Sequence, residues 1–600
     1  MNSQPFLDSA VEDPNDRNMR SRFSSLGLLA CFLIGTTGLQ SANHVLHTFE
    51  VQQLTDVYYS EGANSADINQ DGEVDLIHGP HWYAGPKFEE RHEIYEAKAQ
   101  PRNRYANNFF TWPHDFNGDG WIDLLVVGLP GTPAFLYENP TGNAVTKIWK
   151  KHQVFDAVGN ESPKLTNLVG DERPELVCTY RGMFGYVEIN WEKPFEAWKF
   201  FPVSGRVTAM RFGHGLGIGD INGDGRMDVI SAGGWIEQPG KDEPGKLWKA
   251  HETKFSNSYG GAEMYAYDVD GDGDSDVITS MAAHDFGLAW YEQEIKDGKR
   301  SFKEHVIMGA RKDQNRYGIV FSELHSVALA DMDGDGLKDI VTGKTYYSHH
   351  EKSPQWNAGA VVYWFRLVRT DKGVDWIPHQ AALDTGIGRQ ITVADVNADK
   401  LPDIVVGGMK GGNVLIQERH PVSAEEWASM QPKRQTGELV RLDRSKMAKL
   451  NKAGRVAGAI EGESMKVLRV STGKVGEQNM SRFRKGKWSG GSQLFWSSAK
   501  PRARLDLEFE IPKAGKFDIE AHFTTARDYA IINVLLDSKA LGEPLDLFDH
   551  PDVTTTGVLI LGQRTLTAGK HKLTLETIGA NESAVKKYMV GFDYLRLVPR

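Results

Sequence analysis

Cysteine is nearly missing from these 600 residues: Cys31 and Cys178 are the only two, so no disulfide framework staples the fold. Basic charge is not in excess either. Lys plus Arg number 69 against 80 Asp plus Glu, a formal charge of −11, which removes the electrostatic reason to expect nucleic acid or an anionic membrane as partner. The one long apolar run, residues 23–39 (FSSLGLLACFLIGTTGL), is shorter than the ~20 residues a membrane-spanning helix needs. A disordered composition is absent too, with 40% apolar and 25% charged residues. What is present is a globular chain too long for one core, hence two or more domains. Its 62 Gly and 15 Trp point to β structure rich in tight turns.

The apolar run follows Arg17, Arg20 and Arg22 and precedes Ser41 and Ala42, which is the pattern of an export signal over residues 1–42, cleaved near Ala42. Met19 is an alternative start, because the acidic Asp8, Glu12, Asp13 and Asp16 are foreign to such a segment. Leu28-Leu29-Ala30-Cys31 also resembles a lipobox, and an uncleaved anchor is the third option. Cleavage would leave no membrane span and a secreted or periplasmic chain, with Cys178 as its one thiol in a buried strand.

A nine-residue pattern, D-x-D/N-x-D-G-x-x-D, recurs between residues 45 and 420, each copy running into an apolar strand. Its acidic or amide positions are Asp67, Asn69, Asp71 and Asp75; Asp115, Asn117, Asp119 and Asp123; and Asp220, Asn222, Asp224 and Asp228. Three more copies carry Asp268, Asp270, Asp272 and Asp276; Asp331, Asp333, Asp335 and Asp339; and Asp395, Asn397, Asp399 and Asp403. A decayed copy spans Asn167 to Glu175, with Val169 in third place. First positions step by 48, 52, 53, 48, 63 and 64 residues, the length of one four-stranded propeller blade. Seven copies predict seven blades.

Carboxylates at positions 1, 3, 5 and 9 of a tight loop surround one point with hard oxygens, which suits Ca²⁺. An EF-hand is excluded, since its twelfth-position Glu is replaced by His78, Val126, Ser231, Thr279 and Thr342. The expectation is five or six structural Ca²⁺ sites, weaker at the Asp395 copy, which lacks both glycines, and none at the Asn167 copy. Loop and following strand together resemble the FG-GAP or VCBS-type calcium propeller seen also in integrin α heads. That resemblance covers roughly residues 45–420 and implies a seven-bladed propeller with structural calcium.

The residues six before each first Asp fall at the other end of the inner strand, near the central funnel. They include Glu61, Phe109, Glu161, His214, Ala262 beside Glu263, His325 and Arg389. The next strand returns to the same rim with His78, His81, Trp235, His284, Asp285, Lys344, Tyr346, Tyr347 and Lys410, and His349 and His350 follow. Two histidines with carboxylates nearby suit Zn²⁺ or another transition metal, or general acid–base work with Lys344 or Tyr346 as partner. His214, His325, Glu263, Lys344 and Tyr346 are therefore the candidate catalytic residues. His214 and His325, with HGPHWYAGP and GKTYYSHH, look similar to the propeller of the aldos-2-ulose dehydratase family, which eliminates water from keto-sugars with metal assistance. No cupin-like pattern follows the propeller, a departure from that family.

Residues 421–456 read as a linker with a short helix opening at Ser423 and stopped by Pro432, then a basic run. From residue 457 to 600 the pattern has period two, giving six or more short strands and a β-sandwich. Ile460-Glu461-Gly462-Glu463, the AGKF and AGKHKLTL segments and Phe592-Asp593-Tyr594-Leu595 resemble a jelly-roll carbohydrate-binding module, which implies a Ca²⁺ held by Glu461, Glu463 and Asp593. Trp488, Trp496 and Phe548 are candidates for stacking on sugar rings. The whole reads as an all-β chain, a propeller followed by a jelly-roll sandwich. The expected function is an exported calcium-binding protein that recognises carbohydrate. A metal-assisted keto-sugar lyase or dehydratase at the funnel and an integrin-like adhesion propeller are the alternatives.

Overall fold

The computed structural model describes residues 44–206, 212–240, 246–256, 260–312, 315–347, 353–435 and 449–600. The expected leader at 1–42 with Cys31, His349 and His350, and most of the basic run after Pro432 lie outside the described residues.

Seven four-stranded antiparallel units follow one another, and two further sheets form a sandwich, so the predicted architecture holds. In each blade the inner strand enters an acidic loop and the second strand leaves it, as in Ala63–Ala66 to Asp75–His78 and Val327–Ala330 to Asp339–Gly343. The seventh blade takes its outer strand from the opposite end of the chain. His44–Thr55 pairs with Gly411–Val422 from His44 opposite Val422 to Thr55 opposite Gly412, which closes the ring. Inner strands of blades four and five approach closely enough to pair in parallel, Gly217 opposite Met264. A Cβ on Gly217 would come within 2.1 Å of the Met264 carbonyl oxygen, so only glycine admits that approach.

The ninth-position acid ties each loop to its blade. One oxygen accepts the N–H of loop position two, as from Ile68 to Asp75 (2.8 Å), Ile221 to Asp228 (3.0 Å) and Met332 to Asp339 (3.0 Å). The other accepts an N–H at the end of the third strand, as from Gly85, Gln238 and Leu367. In blades two, four and seven the residue donating there also stitches neighbouring blades. Asn139, Gln238 and Gln417 each send a side-chain amide back to a loop carbonyl of the preceding blade, at Ile68, Leu168 and Met332. Glu175 keeps the first of these bonds in the decayed copy (Leu168 N–H, 2.7 Å). Glycines at positions four and six take positive φ, for instance Gly118 (73°) and Gly120 (88°). In the Asp395 copy Ala398 (62°) and Lys400 (69°) are forced into the same region at a cost in backbone strain.

A second repeat was not read from the sequence. A tryptophan on the third strand stacks on the histidine opposite it on the fourth in blades one, four, five and six. The pairs are Trp82–His92, Trp235–His251, Trp290–His305 and Trp364–His379, with ring centroids 3.9–4.5 Å apart. In blades four and five the Glu two residues after the Trp bonds that His, Glu237 at 2.7 Å and Glu292 at 2.6 Å. The sequence signal was present, but the two residues are separated by an outer hairpin of variable length.

A helix, Ala424–Met430, starts at Ser423, whose hydroxyl accepts the Glu426 N–H at 3.2 Å. The sandwich core is formed by the inward residues of both sheets, among them Leu505, Leu507, Ile519, Phe523, Leu573, Leu575 and Phe592. Replacing Trp290 with Ala removes a buried ring and leaves His305 unstacked. The expected loss of unfolding free energy is about 3–5 kcal/mol; a denaturant titration showing under about 1 kcal/mol would contradict the role assigned to the stack.

Candidate metal centre at the funnel

Three consecutive blades deliver one histidine each to a single point. His214 precedes the inner strand Leu216–Gly219 of blade four, and His325 precedes Val327–Ala330 of blade six. His284 comes from blade five, where residues 281–287 join Asp276–Ser280 to Leu288–Lys296. The same turn in blade four has two residues, between Asp228–Ser231 and Gly234–Glu237. His284 Nε2 lies 3.0 Å from His214 Nε2, and its Nδ1 lies 3.0 Å from His325 Nε2. One ring nitrogen from each lies within 4.8 Å of the others. His325 is fully buried, His214 nearly so, and His284 half-buried.

Carboxylates surround the trio. Glu323, fully buried at φ 64°, has an oxygen 3.5 Å from His325 Nδ1 and 3.8 Å from His284 Nδ1. No hydrogen bond reaches either of its oxygens among the described residues. A buried polar side chain without hydrogen bonds, on a strained backbone, is costly unless something nearby rewards it. Glu161 lies 3.8 Å from His214 Nε2 and 3.3 Å from Arg389 Nε, and Arg389 Nη1 lies 3.0 Å from Glu61. Tyr58 donates to Glu61, and the Arg389 guanidinium sits 4.9 Å over the Tyr105 ring. Burial pushes the Glu161 carboxyl up, and Arg389 opposes it. This buried network joins blades one, three and seven across the ring, beside the histidines of blades four to six.

The other candidates divide. Lys344 is buried, donates to the Thr345 carbonyl at 3.1 Å, and is held below its ordinary value by burial against the pull of Glu323. Glu263 faces away into the wall between blades five and six. It accepts from Val327 N–H (2.8 Å) and the Ser326 hydroxyl (3.2 Å), with Lys164 4.0 Å off. Tyr346 packs near Tyr58, Ala106 and Met409 under the Lys410 ammonium, 4.5 Å above its ring, and does not join the histidines. His78 and His81 are buried packing residues, pushed down to about 3 and about 4 chiefly by burial. His284 was one rim residue among many in the sequence and is here the middle of the cluster. Glu323 was missed, although Glu323-Leu324-His325 stands directly before an inner strand.

In the acidic loops, Asp268, Asp270 and Asp276, and again Asp331, Asp333 and Asp339, bring carboxylate oxygens within 4.8 Å of one another. Loop turns are also wired internally. Asp115 accepts the N–H groups of Gly118, Asp119 and Gly120, and Asn117 Oδ1 accepts that of Asp119. Three loops have an arginine against their acids, Arg226 on Asp224, Arg366 on Asp333 (2.5 Å) and Arg369 on Asp268 (3.7 Å). Burial holds the ninth-position carboxyls up, to about 6 in Asp75, Asp228 and Asp403, about 7 in Asp123 and Asp276, and about 8 in Asp339.

In the sandwich, Glu461 bonds Arg455 (2.9 Å) and Ser489 (2.7 Å), and Asp593 bonds His522 (2.7 Å) and the Ser489 N–H. Burial, then the charges of Glu461 and Asp593, holds Glu463 up at about 7. The reading of Trp488, Trp496 and Phe548 as sugar platforms is corrected: all three are at most 4% exposed. Trp488 Nε1 donates to Thr524 and Trp496 Nε1 to the Thr472 carbonyl, while Phe548 packs against Phe286 of the propeller. Alternation within short loops could not tell a stacking ring from a core ring.

No family model matches the sequence, and no curated protein matches it. Among solved structures the chain is similar to the xanthan lyase of Paenibacillus, at 9% identity over 90% of this chain and 42% of the lyase, TM-score 0.22. It is also similar to a glycoside hydrolase family 43 arabinoxylan arabinofuranohydrolase of Bacillus subtilis, at 12% identity over 94% and 98%, TM-score 0.21. The GH26-CBM35 β-(1,4)-mannanase of Podospora anserina aligns at 14% identity over 24% and 27%, TM-score 0.17. The chain therefore spans about a quarter of the mannanase and under half of the lyase. Likenesses this loose carry no argument about activity.

Replacing Arg389 with Leu would strand Glu61 and Glu161 as unpaired buried charges. The expected destabilisation is about 3–5 kcal/mol, read by thermal or denaturant unfolding, and a neutral substitution would contradict the assigned network.

Proposed function

We propose that this chain is an exported, calcium-braced propeller enzyme that acts on a sugar, of the carbon–oxygen lyase type, with a transition metal held by His214, His284 and His325. The convergence of three imidazoles from three blades supports that reading over recognition alone or integrin-like adhesion, neither of which needs them. Nitrogen donors in this number suit Zn²⁺ or a related ion and leave a coordination position open to substrate. The sugar class rests on the resemblances of propeller and sandwich to keto-sugar dehydratases and carbohydrate-binding modules, and export on the leader pattern.

A metal ion bound there would polarise a substrate carbonyl oxygen and so acidify the adjacent C–H. The chain's own residues do the rest. The Glu323 backbone carbonyl, 3.3 Å from Nδ1 of His325, orients that ring with Nε2 turned to the centre. Lys344 lies in the same buried wall as Glu323 and can move a proton to or from substrate. Arg389 with Glu61 and Glu161 forms a rigid floor beside His214.

Elemental mass spectrometry of the purified mature protein is expected to show about one transition metal per chain, lost in His214→Ala, His284→Ala and His325→Ala together with turnover of keto-sugars. Wild-type protein without such a metal, or full turnover in these variants, would refute the reading.

The acidic loops are proposed to hold five or six Ca²⁺, with the carbohydrate-module-like trio Glu461, Glu463 and Asp593 as a further site. The FG-GAP or VCBS likeness supports this, as do the oxygen clusters in the loops. Carboxyls held above their unfolded value stabilise most when protonated, so their contribution is full below about pH 4 and is lost as pH rises through about 6 to 8. Calcium favours the ionised form and offsets that loss. In EDTA the melting temperature should therefore fall between pH 5.5 and 8, both values being about the bounds of that window, and calcium should flatten the slope. Identical profiles with and without calcium would speak against bound metal.

A further inference from the structure

The turn that carries His284 is held from the other domain. Asp285, the next residue, has one carboxylate oxygen 2.9 Å from His550 Nε2 and the other 3.2 Å from Arg527 Nη1, both of the sandwich. Phe286 packs with Ala310, Phe548 and Ala584, so the residue after Asp285 is buried at the same junction. Arg311 to Asp546 (3.1 Å) and Lys312 to Glu582 (3.0 Å) extend the contact along blade five. On the propeller side the turn is closed by Met281 N–H to the Gly287 carbonyl (2.9 Å), and the Asp285 carbonyl accepts the Glu323 N–H at 2.9 Å. One short segment thus touches the sandwich through a side chain and the Glu323–His325 segment through its backbone.

We propose that the sandwich is a working part of the three-histidine site: Arg527 and His550 are positioning residues that clamp Asp285 and thereby hold His284 between His214 and His325. The proposal deepens the metal-site reading and rests on it for its purpose, though the clamp itself is a statement about the turn. The physical reason is local. Two-residue turns in blades one, three, four and seven need no outside support, whereas seven residues between strands have the entropy of a loose loop. A carboxylate held on one oxygen by a guanidinium and on the other by an imidazole of the second domain removes that freedom. It also gives the sandwich a role that does not require sugar stacking on Trp488, Trp496 or Phe548.

The test uses the full chain with Arg527→Ala combined with His550→Gln, and separately Asp285→Asn, which leaves every sandwich residue intact. Amide hydrogen exchange, measured without metal, should speed at least tenfold across residues 281–287 in both variants, with the sandwich core strands unchanged. Co²⁺, used as a spectroscopic probe, should bind both variants at least tenfold more weakly than wild type, with an altered ligand-field spectrum. Unchanged exchange at 281–287 in Asp285→Asn would overturn the clamp, whatever Co²⁺ does. Wild-type protein that shows the clamp by exchange yet takes up no Co²⁺ would instead overturn the metal-site reading. Should the double variant fail to fold, Asp285→Asn decides alone.

Discussion

The ninth-position carboxylate of each repeat is the interaction on which the propeller depends. A single side chain joins the start of its own loop to the third strand, and in blades two, four and seven the residue bonded there reaches the neighbouring blade. Radial order within a blade and angular order between blades therefore share one anchor. That anchor is buried and acidic, so the same group that organises the backbone carries an electrostatic cost at neutral pH. The backbone N–H groups that bond it relieve part of that cost, while arginines stand against other acids of three loops. A repeated hard-oxygen loop is the natural place for a cation to relieve the rest.

Ring architecture then produces the funnel. Seven inner strands start at one rim, so whatever precedes them is pooled at the centre regardless of distance along the chain. Glu61 and Arg389 meet although 328 residues separate them, and His214 and His325 share a neighbour in His284. Buried charges are affordable there because each has a partner within reach and little water competes. Glu323 is the exception. Its positive φ and a carboxylate that no hydrogen bond reaches among the described residues mark the point where the structure gives up local comfort, and that point lies against two of the three imidazoles.

Long connections are where individual blades depart from the repeat. Blade five spends seven residues on a turn that blade four completes in two, and the extra length carries both His284 and Asp285. The middle histidine of the cluster thus sits on an insertion while the repeat supplies the frame, a division common to folds that carry sites on loops. Docking of the sandwich at that insertion joins the two domains through ion pairs and a small apolar contact rather than through the sheets themselves.

Much was legible in the residues alone. The nine-residue period and its spacing determine the number of blades, because each copy needs a glycine or a tolerant residue at fixed turn positions and a carboxylate at the ninth. Period-two alternation after residue 457 determines the sandwich for a similar local reason. His214 and His325 were identifiable because their offset from the first Asp is constant. What only the tertiary structure decided depends on distance in space rather than in sequence. His44–Thr55 closing the ring on Gly411–Val422, Glu323 turning toward the histidines, Glu263 and Tyr346 turning away, and the burial of Trp488, Trp496 and Phe548 belong to that class. A periodic signal records which face a residue occupies; which remote face it meets is set by the closure of the ring and the docking of the second domain.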